Sequence, residues 1–402
     1  MDQIAGAAER LARWMEAERF AGWDPHDALR SAMIRRLTFR NRLVGVAWVQ
    51  LLRRSPVNLR RLLGVPKGRN PKGIGLLLAS YAARYGMRGA PADLEQAVFC
   101  AEWLRRNRSS GYSGACWGYN FDWPNRGFFA PAGLPTVVNT AFIGLAFLRA
   151  ESLVPDAAAI ARSACEFVTR DLHRIAGGQD EFCFSYTPID RRPIHNANVL
   201  GAQLLAEVSA RTRDEPGFAG LALSAARYTA RRQQPDGSWR YGIGATDGWI
   251  DNFHTAFVLV ALDRLSACLG TDEFDAVVER GYEFWKRRLF TREGLPKYYA
   301  GRLYPIDVHC IAQAMVTFAH FATRDAAALD QARRLAEWAV EGMQDRAGYF
   351  YYQMHRHYVN RVPYMRWSQA WMFHALTELT CARDAAARSP QHAVAAAAPT
   401  EM

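Results

Sequence analysis

The sequence predicts an all-α fold, an (α/α)6 toroid in which six helical hairpins close into a barrel with aromatic-rich loops at one rim. The first observation is a unit at residues 233–262, where a polar, aromatic loop precedes an apolar helix. This unit recurs at intervals of roughly 54 to 62 residues, a length typical of two-helix repeats. Each apolar helix is followed by an amphipathic one, so the sequence predicts an inner and an outer layer of helices.

The unit at residues 233–262 shows how each repeat is built. Asp251 or Asn252 supplies the N-cap oxygen of a helix that continues through residues 256–262 without a polar face. A helix of this kind is surrounded by protein. Its polar residues stand only at the N-terminal end, where we expect a site.

The other inner helices begin with the same change from polar to apolar residues. They start near residues 72–75, 136–140, 195–198, 307–310 and 364–367. The amphipathic outer helices are expected at residues 92–107, 156–172, 217–233, 273–289 and 327–343.

Composition suggests one barrel with two flanking segments. We expect a basic helical segment packed on the barrel at residues 1–72, the barrel at 73–381 and a flexible tail at 382–402. The seven cysteines are scattered and without CxxC spacing, which suits a reducing compartment. The first residues lack the apolar core of a secretory signal, and no apolar run is long enough to span a bilayer. We therefore expect a cytoplasmic protein, peripheral on the inner membrane if the basic segment binds lipid.

The net charge of +11 is concentrated near the N-terminus. Residues 28–92 contain fourteen Arg or Lys and no Asp or Glu, and an apolar stretch with Trp48 lies between arginine pairs. Residues 28–72 suit an anionic membrane surface. An anionic saccharide and a solvated arginine-rich surface are the alternatives. No nucleic-acid reading motif or base-stacking platform accompanies the charge, so we expect no nucleic-acid partner.

Aromatic and polar residues crowd the loops before the inner helices. Sugar rings stack their C–H faces on aromatic rings, and their hydroxyls bind amides and carboxylates. These loops therefore predict a saccharide site at one rim. The candidate substrate-binding residues are Trp117, Tyr119, Asn120, Trp123, Arg126, Asn139, Tyr186, His195, Asn196, Asn198, Trp239, Trp249, Asn252, Lys297, Tyr299, Tyr351, Tyr364, Arg366 and Trp367.

Several segments resemble known proteins. The aromatic-rich hairpins look like those of the six-hairpin glycosidase superfamily. More closely, the sequence from Trp23 to Leu379 resembles a family encoded in bacterial surface-polysaccharide clusters and labelled as polysaccharide-biosynthesis proteins. The segments that carry this resemblance are CWGYNFDW, IHNANVLGA, QQPDGSW, WIDNFHT, PKYY, YPID followed by His309, and PYMRWSQAW. The resemblance implies an acidic or lipid-linked glycan as substrate.

Two further resemblances are more distant. Residues 234–239 resemble the repeat motif of terpene cyclases, in which Gln and Trp tie helix ends together, although the acidic DxDD motif of those cyclases is absent. A terpenoid pocket should also contain fewer polar groups. Residues 304–315 resemble the Tyr/His segment of the glucuronyl C5-epimerase domain.

Two reaction types fit the rim residues. A glycoside hydrolase needs two carboxyls that flank the bond, which Asp122, Asp251 and Asp307 could supply. The last two stand at helix starts, where an Asp is an N-cap by default and its pKa is lowered.

A uronate epimerase or lyase needs a base near C5 and a cation to neutralise the enolate-like carboxylate. His254, His309 or His195 could be the base, Tyr298 or Tyr299 the acid on the opposite face, and Arg126 or Arg366 the cation. This chemistry fits the abundance of Tyr and Arg better than hydrolysis does, so we place it first. A non-catalytic glycan-binding scaffold of the assembly machinery is the third interpretation.

No metal or cofactor is expected. Asp307, His309 and Cys310 could be zinc ligands by type, but consecutive helix positions diverge and no second cluster has ligand spacing.

Overall fold

The computed structural model describes residues 3–38, 41–124, 128–212 and 216–388, which are mainly helical. The α-helices in these ranges are α1 (Gln3–Ala17), α2 (Ala32–Leu37), α3 (Arg42–Arg54), α4 (Pro71–Arg88), α5 (Pro91–Arg106), α6 (Val137–Arg149), α7 (Ala157–Arg170), α8 (His195–Arg211), α9 (Pro216–Ala230), α10 (Asn252–Leu269), α11 (Asp275–Arg288), α12 (Val308–Phe321), α13 (Ala328–Met343) and α14 (Trp371–Arg388). A 3-10 turn lies at Ala28–Arg30, and a π-helix at Met365–Ala370 leads into α14.

Six helices form a closed inner ring. Helix α4 packs on α6, and contacts continue through α8, α10, α12 and α14 back to α4. The outer helices α5, α7, α9, α11 and α13 each pack on the inner helix that precedes them, and α1 packs on α14 as the sixth outer helix. The predicted (α/α)6 toroid is confirmed.

Polar caps fix where the inner helices begin. The side chains of Asn70, Thr136, Asp251 and Asp307 accept hydrogen bonds from main-chain amides in the first turns of α4, α6, α10 and α12. These caps satisfy amides that have no partner within the helix. Because the repeats are equivalent, the capped ends lie at one rim.

Glycines allow the inner helices to approach each other closely. A Cβ on Gly75 of α4 would lie 2.8 Å from the Ile143 side chain of α6. A Cβ on Gly144 of α6 would lie 2.7 Å from Leu204 of α8. Side chains at these positions would push the helices apart, since interiors are close-packed.

Short antiparallel strands shape the loops before the inner helices. Strands β1 (Trp123–Pro124) and β2 (Phe129–Ala130) pair before α6, and β3 (Arg174–Ala176) and β4 (Phe182–Phe184) pair before α8. Strands β5 (Ile306–Asp307), β6 (Gln353–Met354) and β7 (Val359–Asn360) form a three-stranded sheet. This sheet joins the loops before α12 and α14.

Two buried ion pairs hold the segment between α1 and α4. Arg366, in the π-helix, donates to both oxygens of Asp24, with Nε 2.6 Å from Oδ2 and Nη2 2.9 Å from Oδ1. Arg60 Nε lies 2.8 Å from Asp27 Oδ1. All four side chains are almost completely buried. The segment is therefore anchored beside the start of the sixth inner helix.

The C-terminal boundary differs in position from the sequence expectation. Helix α14 continues to Arg388, seven residues past the boundary of the barrel placed at 381. Residues 389–402, which make up most of the expected tail, lie outside the described residues. Among the described helices, none combines the length and the apolar character that a membrane span requires.

We predict that Arg366→Met lowers the free energy of unfolding by about 3–5 kcal/mol, because it leaves the Asp24 carboxylate buried and unpaired. Arg333→Met is the matched control, since Arg333 is half-exposed and pairs with Asp330 and Glu337 on the surface of α13. Loss of a surface pair costs about 1 kcal/mol or less. Urea unfolding followed by circular dichroism measures both. Equal losses would show that the buried pair does not anchor the segment.

Candidate functional site

A histidine–carboxylate pair lies at the N-terminal end of α10. Asp251 caps the helix by accepting from the His254 main-chain amide at 3.0 Å. Its Oδ2 accepts from Trp249 Nε1 at 2.9 Å and lies 2.6 Å from His254 Nδ1. His254 Nε2 has no hydrogen-bond partner among the described residues. A carboxylate at Nδ1 favours the tautomer whose Nε2 lone pair can accept a proton.

Aromatic rings surround this pair. Tyr241 stacks on Trp249 with ring centres 4.4 Å apart and lies 4.6 Å from the His254 ring. The ring centre of Phe253 lies 4.1 Å from that of His254 and 5.5 Å from that of Tyr298, so Phe253 connects the start of α10 to the loop before α12. Burial raises the pKa of Tyr298 well above its usual value, which keeps its hydroxyl protonated.

A second group of rings comes from the loops before α6 and α8. Trp123 lies 5.6 Å from Tyr119 and 5.7 Å from Tyr186 between ring centres. The hydroxyls of Tyr119 and Tyr186 are 3.4 Å apart. The β1–β2 hairpin holds Trp123, whose side chain is half-buried. Rings with one free face suit stacking by a sugar.

The N-terminal segment adds Arg53 and His26 to this rim. Arg53 Nε donates to the Tyr352 hydroxyl at 3.0 Å, and its guanidinium carbon lies 5.9 Å from the centre of the Trp367 ring. Within the described ranges, no carboxylate lies within ion-pair distance of Arg53. The His26 ring lies 5.6 Å from that of Trp367. We call these half-buried and buried groups the rim cluster: His26, Arg53, Tyr119, Trp123, Tyr186, Tyr241, Trp249, Asp251, His254, Tyr298 and Trp367.

Asp307 lies beneath the rim cluster and is completely buried. It caps α12 through the His309 amide at 2.9 Å and accepts from Trp367 Nε1 at 2.9 Å and Gln353 Nε2 at 2.6 Å. Burial raises its pKa. Because these three donors occupy its oxygens, Asp307 positions the Trp367 ring. It does not lie at the open rim, where a catalytic acid would have to be.

Two other predicted charged groups are engaged elsewhere. Asp122 accepts from the Ala132 amide at 2.8 Å and organises the loop between β2 and α6. The guanidinium of Arg366 is occupied by Asp24, as described above. Arg126, the other predicted cation, lies outside the described residues.

Four predicted substrate ligands are buried in the barrel wall. Each side chain donates a hydrogen bond to a main-chain carbonyl of that wall, so the structure gives it a packing role instead of a contact at the rim. The bonds are Trp117 to Leu104 at 2.9 Å, Asn198 to Ala225 at 2.7 Å, Trp239 to Thr229 at 2.9 Å and Asn252 to Leu289 at 2.9 Å.

Five more predicted ligands lie in the loops around the rim. Most contact a neighbouring loop residue. Asn120 accepts from Asn70 at 3.0 Å, Lys297 donates to the Ala300 carbonyl at 3.2 Å, Tyr351 donates to Asp345 at 2.9 Å, Tyr299 lies 4.6 Å from the Tyr298 ring, and Tyr364 lies under the Arg60 guanidinium at 4.7 Å.

The remaining predicted residues are buried polar groups with unused hydrogen-bonding capacity. Both side-chain polar atoms of Asn139, both ring nitrogens of His309 and Oδ1 of Asn196 have no partner in the described part of the chain. Burial and the charges of Lys72 and Arg366 hold the pKa of His309 well below its usual value. Burial lowers the pKa of His195 to about 4. His309 and His195 are therefore weaker bases than an ordinary imidazole.

Enclosed space beside the rim cluster is small. The cavity next to His195, Tyr241 and His254 measures about 10 Å³, room for no more than a water molecule. A saccharide would therefore approach the rim cluster from its open face. A cavity of about 340 Å³ lies elsewhere in the barrel, and none of the predicted site residues line it.

Sequence reasoning missed Arg53 and His26 as members of the site. Arg53 belongs to the basic segment that suggested a membrane surface, and its contacts with Tyr352 and Trp367 join positions about 300 residues apart. His26 lies two residues after Asp24, whose Oδ1 accepts from the His26 amide at 3.0 Å. The nearest signal in the sequence was the run of Arg and Lys at residues 28–92, which contains no Asp or Glu.

Solved structures share this architecture. A sugar epimerase from a ruminal bacterium matches with a TM-score of 0.62 and 15% identity, over 80% of this chain and 90% of that one. Cellobiose 2-epimerase from Bacillus thermoamylovorans matches with a TM-score of 0.60 and 13% identity, over 79% and 88%. The unsaturated glucuronyl hydrolase of a Bacillus species matches with a TM-score of 0.59 and 14% identity, over 94% and 95%.

Neither a protein-family model nor a curated protein matches the sequence. The structural matches are distant in sequence, and what they share with this chain is the arrangement of the helices. The chain therefore shares the (α/α)6 toroid fold with these solved structures.

Proposed function

We propose that the rim cluster binds an acidic saccharide and moves a proton at the ring carbon next to its carboxylate, as a uronate epimerase or lyase does. The observation that carries the proposal is the pairing of His254 with Asp251 in a cluster that also contains Arg53. The solved toroids named as a sugar epimerase and a glucuronyl hydrolase support a sugar substrate for this fold.

Each step uses a described group. His254 Nε2 takes the proton from C5, and the electron pair of the broken C–H bond moves into the carboxylate, which becomes an enediolate. Arg53 neutralises the charge that develops there. Epimerisation is completed when the hydroxyl of Tyr298, whose ring centre lies 5.5 Å from that of Phe253, returns a proton to the opposite face. In the lyase variant, the electron pair instead forms a C4–C5 double bond and expels the C4 oxygen, which leaves as a hydroxyl after taking the proton of Tyr298.

The carboxylates favour this chemistry over hydrolysis. A hydrolase needs two carboxyl groups facing one bond. Asp122 is held by a loop amide, Asp307 is buried beneath three donors, and Asp251 is held by the imidazole and indole that flank it. Among the described residues that we predicted as acids, no two face the open rim together.

We also propose that the glycan is a surface-polysaccharide precursor presented at the inner membrane. The segment of residues 28–72 exposes apolar side chains between arginines, with Leu43 68% and Leu62 81% exposed. The exposed apolar residues of this segment are Met33, Leu37, Leu43, Leu51, Val57 and Leu62. Apolar side chains among cations suit an anionic lipid surface. Because α3 also carries Arg53, a lipid-linked substrate would reach the rim cluster from this side.

Incubation of a panel of uronate-containing polysaccharides in deuterated water tests the reaction type. We predict carbon-bound deuterium in the sugar if the protein is an epimerase, or a C4–C5 double bond in the product if it is a lyase, both detected by NMR and mass spectrometry. His254→Ala should lower the rate about 10²–10⁴-fold, the usual contribution of a positioned base. His320→Ala is the matched control, because His320 Nε2 lies 2.7 Å from Asp263 in a similar pair outside the rim cluster.

Different outcomes separate the alternatives. Chain cleavage that leaves neither deuterium at carbon nor a C4–C5 double bond in the product would identify a hydrolase and contradict the proposed proton transfer. Binding without exchange or cleavage would make the protein a glycan-binding scaffold. If His254→Ala and His320→Ala lowered the exchange rate equally, His254 would not be the catalytic base.

Arg53→Gln should reduce exchange and weaken binding of the acidic glycan, whereas Arg54→Gln should leave both unchanged. The two arginines are adjacent, but Arg53 is half-buried in the rim cluster and Arg54 is exposed. A charge-assisted hydrogen bond contributes about 1.5–3 kcal/mol, so the affinity should fall at least about tenfold. Steady-state exchange rates and calorimetric titration provide the measurement. Equal effects of the two variants would show that Arg53 contributes only general positive charge and makes no specific contact with the glycan.

Sedimentation with vesicles tests the membrane proposal. Vesicles with phosphatidylglycerol should bind the protein at low salt and release it at high salt, because salt screens exposed charges. Glu substitutions of Arg35, Arg36, Arg54 and Arg61 should abolish binding. The control carries Glu at four arginines outside this segment, Arg106, Arg287, Arg324 and Arg334, which changes the net charge equally. Binding lost equally in the control, or equal binding to phosphatidylcholine vesicles, would contradict a specific anionic-lipid surface.

A further inference from the structure

The barrel contains a cavity of about 340 Å³ away from the rim cluster. All six inner helices line it, from Gly75 in the second turn of α4 and Trp371 at the start of α14 to Arg149 and Arg211, the last residues of α6 and α8. The cavity therefore extends to the end of the barrel opposite the capped helix N-termini. Its volume is at the lower end of the range of small-ligand pockets, about 300–1,000 Å³.

Three aromatic rings form the inner wall of this cavity. Phe142 lies 5.5 Å from Phe257 and 5.4 Å from Trp371, and Phe257 lies 5.6 Å from Trp371. Lys72 and His309 contact these rings but do not line the cavity. They come from the first turns of α4 and α12, so the rings separate the cavity from the rim side. Such rings offer a sugar an apolar stacking surface.

Two buried polar atoms in the lining lack partners. Gln313 Oε1 is an acceptor and Trp371 Nε1 is a donor, and neither has a hydrogen-bond partner in the described ranges. Both side chains are at least 98% buried. Leaving such a group unpaired is unfavourable. A ligand with hydroxyl groups could satisfy both atoms, because a hydroxyl donates and accepts.

Three arginines and two glutamates line the opening of the cavity. Arg149 pairs with Glu378, and Arg211 lies 3.6 Å from Glu207 and 3.7 Å from Glu151. Arg264 is 40% exposed, and its closest carboxylate is the same Glu207 at 3.9 Å.

Glu207 also accepts a hydrogen bond from Gln203 at 2.9 Å. It is thus shared among several donors and leaves Arg264 the least compensated of the three cations. His374, on the same lining, adds no charge at neutral pH, because burial lowers its pKa to about 4. A ligand with one negative charge would complement this opening.

We propose that this cavity is a second binding site, for an acidic monosaccharide. The sugar ring stacks on the wall of Phe142, Phe257 and Trp371. Its hydroxyls bind Gln313 Oε1 and Trp371 Nε1, and its carboxylate pairs with Arg264 at the opening. The site is independent of the rim chemistry, since no member of the rim cluster contributes to it.

Isothermal titration with D-glucuronate and D-glucose tests the site. The Arg53→Gln variant is the starting protein, because it weakens acidic-sugar binding at the rim while leaving this cavity intact. We predict saturable glucuronate binding, weaker binding of glucose, and an approximately tenfold loss of glucuronate affinity when Arg264→Ala is added. Arg287→Ala, which removes an exposed arginine from α11, is the matched control and should change nothing.

A cavity-filling substitution supplies a second readout. Ala79 lines the cavity from α4, and Ala79→Phe should abolish binding of both sugars. Absence of glucuronate binding in the Arg53→Gln protein would overturn the proposal, as would binding insensitive to Arg264→Ala. Equal affinity for glucose and glucuronate would overturn the acidic class. None of these outcomes bears on deuterium exchange at the rim, so the two proposals fail separately.

Discussion

The ion pair between Asp24 and Arg366 is the interaction on which the candidate site depends. It joins positions 342 residues apart and is buried on both sides. Burial by itself raises the pKa of Asp24, but the charge of Arg366 and the nearby His26 hold it well below its usual value. The pair fixes the N-terminal segment beside the start of the sixth inner helix. Together with the pair of Arg60 and Asp27, it sets the positions of His26 and Arg53 relative to Trp367.

The fold follows from local patterns that are visible in the sequence. Apolar inner helices, amphipathic outer helices and a regular repeat length require a two-layer ring, and Asp251 and Asp307 mark helix starts by the chemistry of capping. The structural role inferred for Trp239 from the terpene-cyclase-like motif agrees with its hydrogen bond to the Thr229 carbonyl. These features can be predicted from the sequence because each depends on residues that lie close together in the chain.

The site was harder to predict because its geometry depends on distant contacts. Composition identified the rim loops as polar and aromatic, yet it could not separate Trp123, which keeps an accessible face, from Trp117, which is buried against α5. Likewise, Asp251 and Asp307 have the same capping role, but only Asp251 holds an imidazole. The cavity at the opposite end went unnoticed because Gln313 and Trp371 lie within helices that read as core.

A crystal structure with a bound uronate oligosaccharide tests the central claim most directly. The account predicts a sugar ring at the rim cluster with its carboxylate on Arg53 and its C5 facing His254 Nε2. The opposite face of the ring should lie toward Tyr298. A sugar bound at the rim with its carboxylate away from Arg53, or with His254 remote from the ring, would contradict the account.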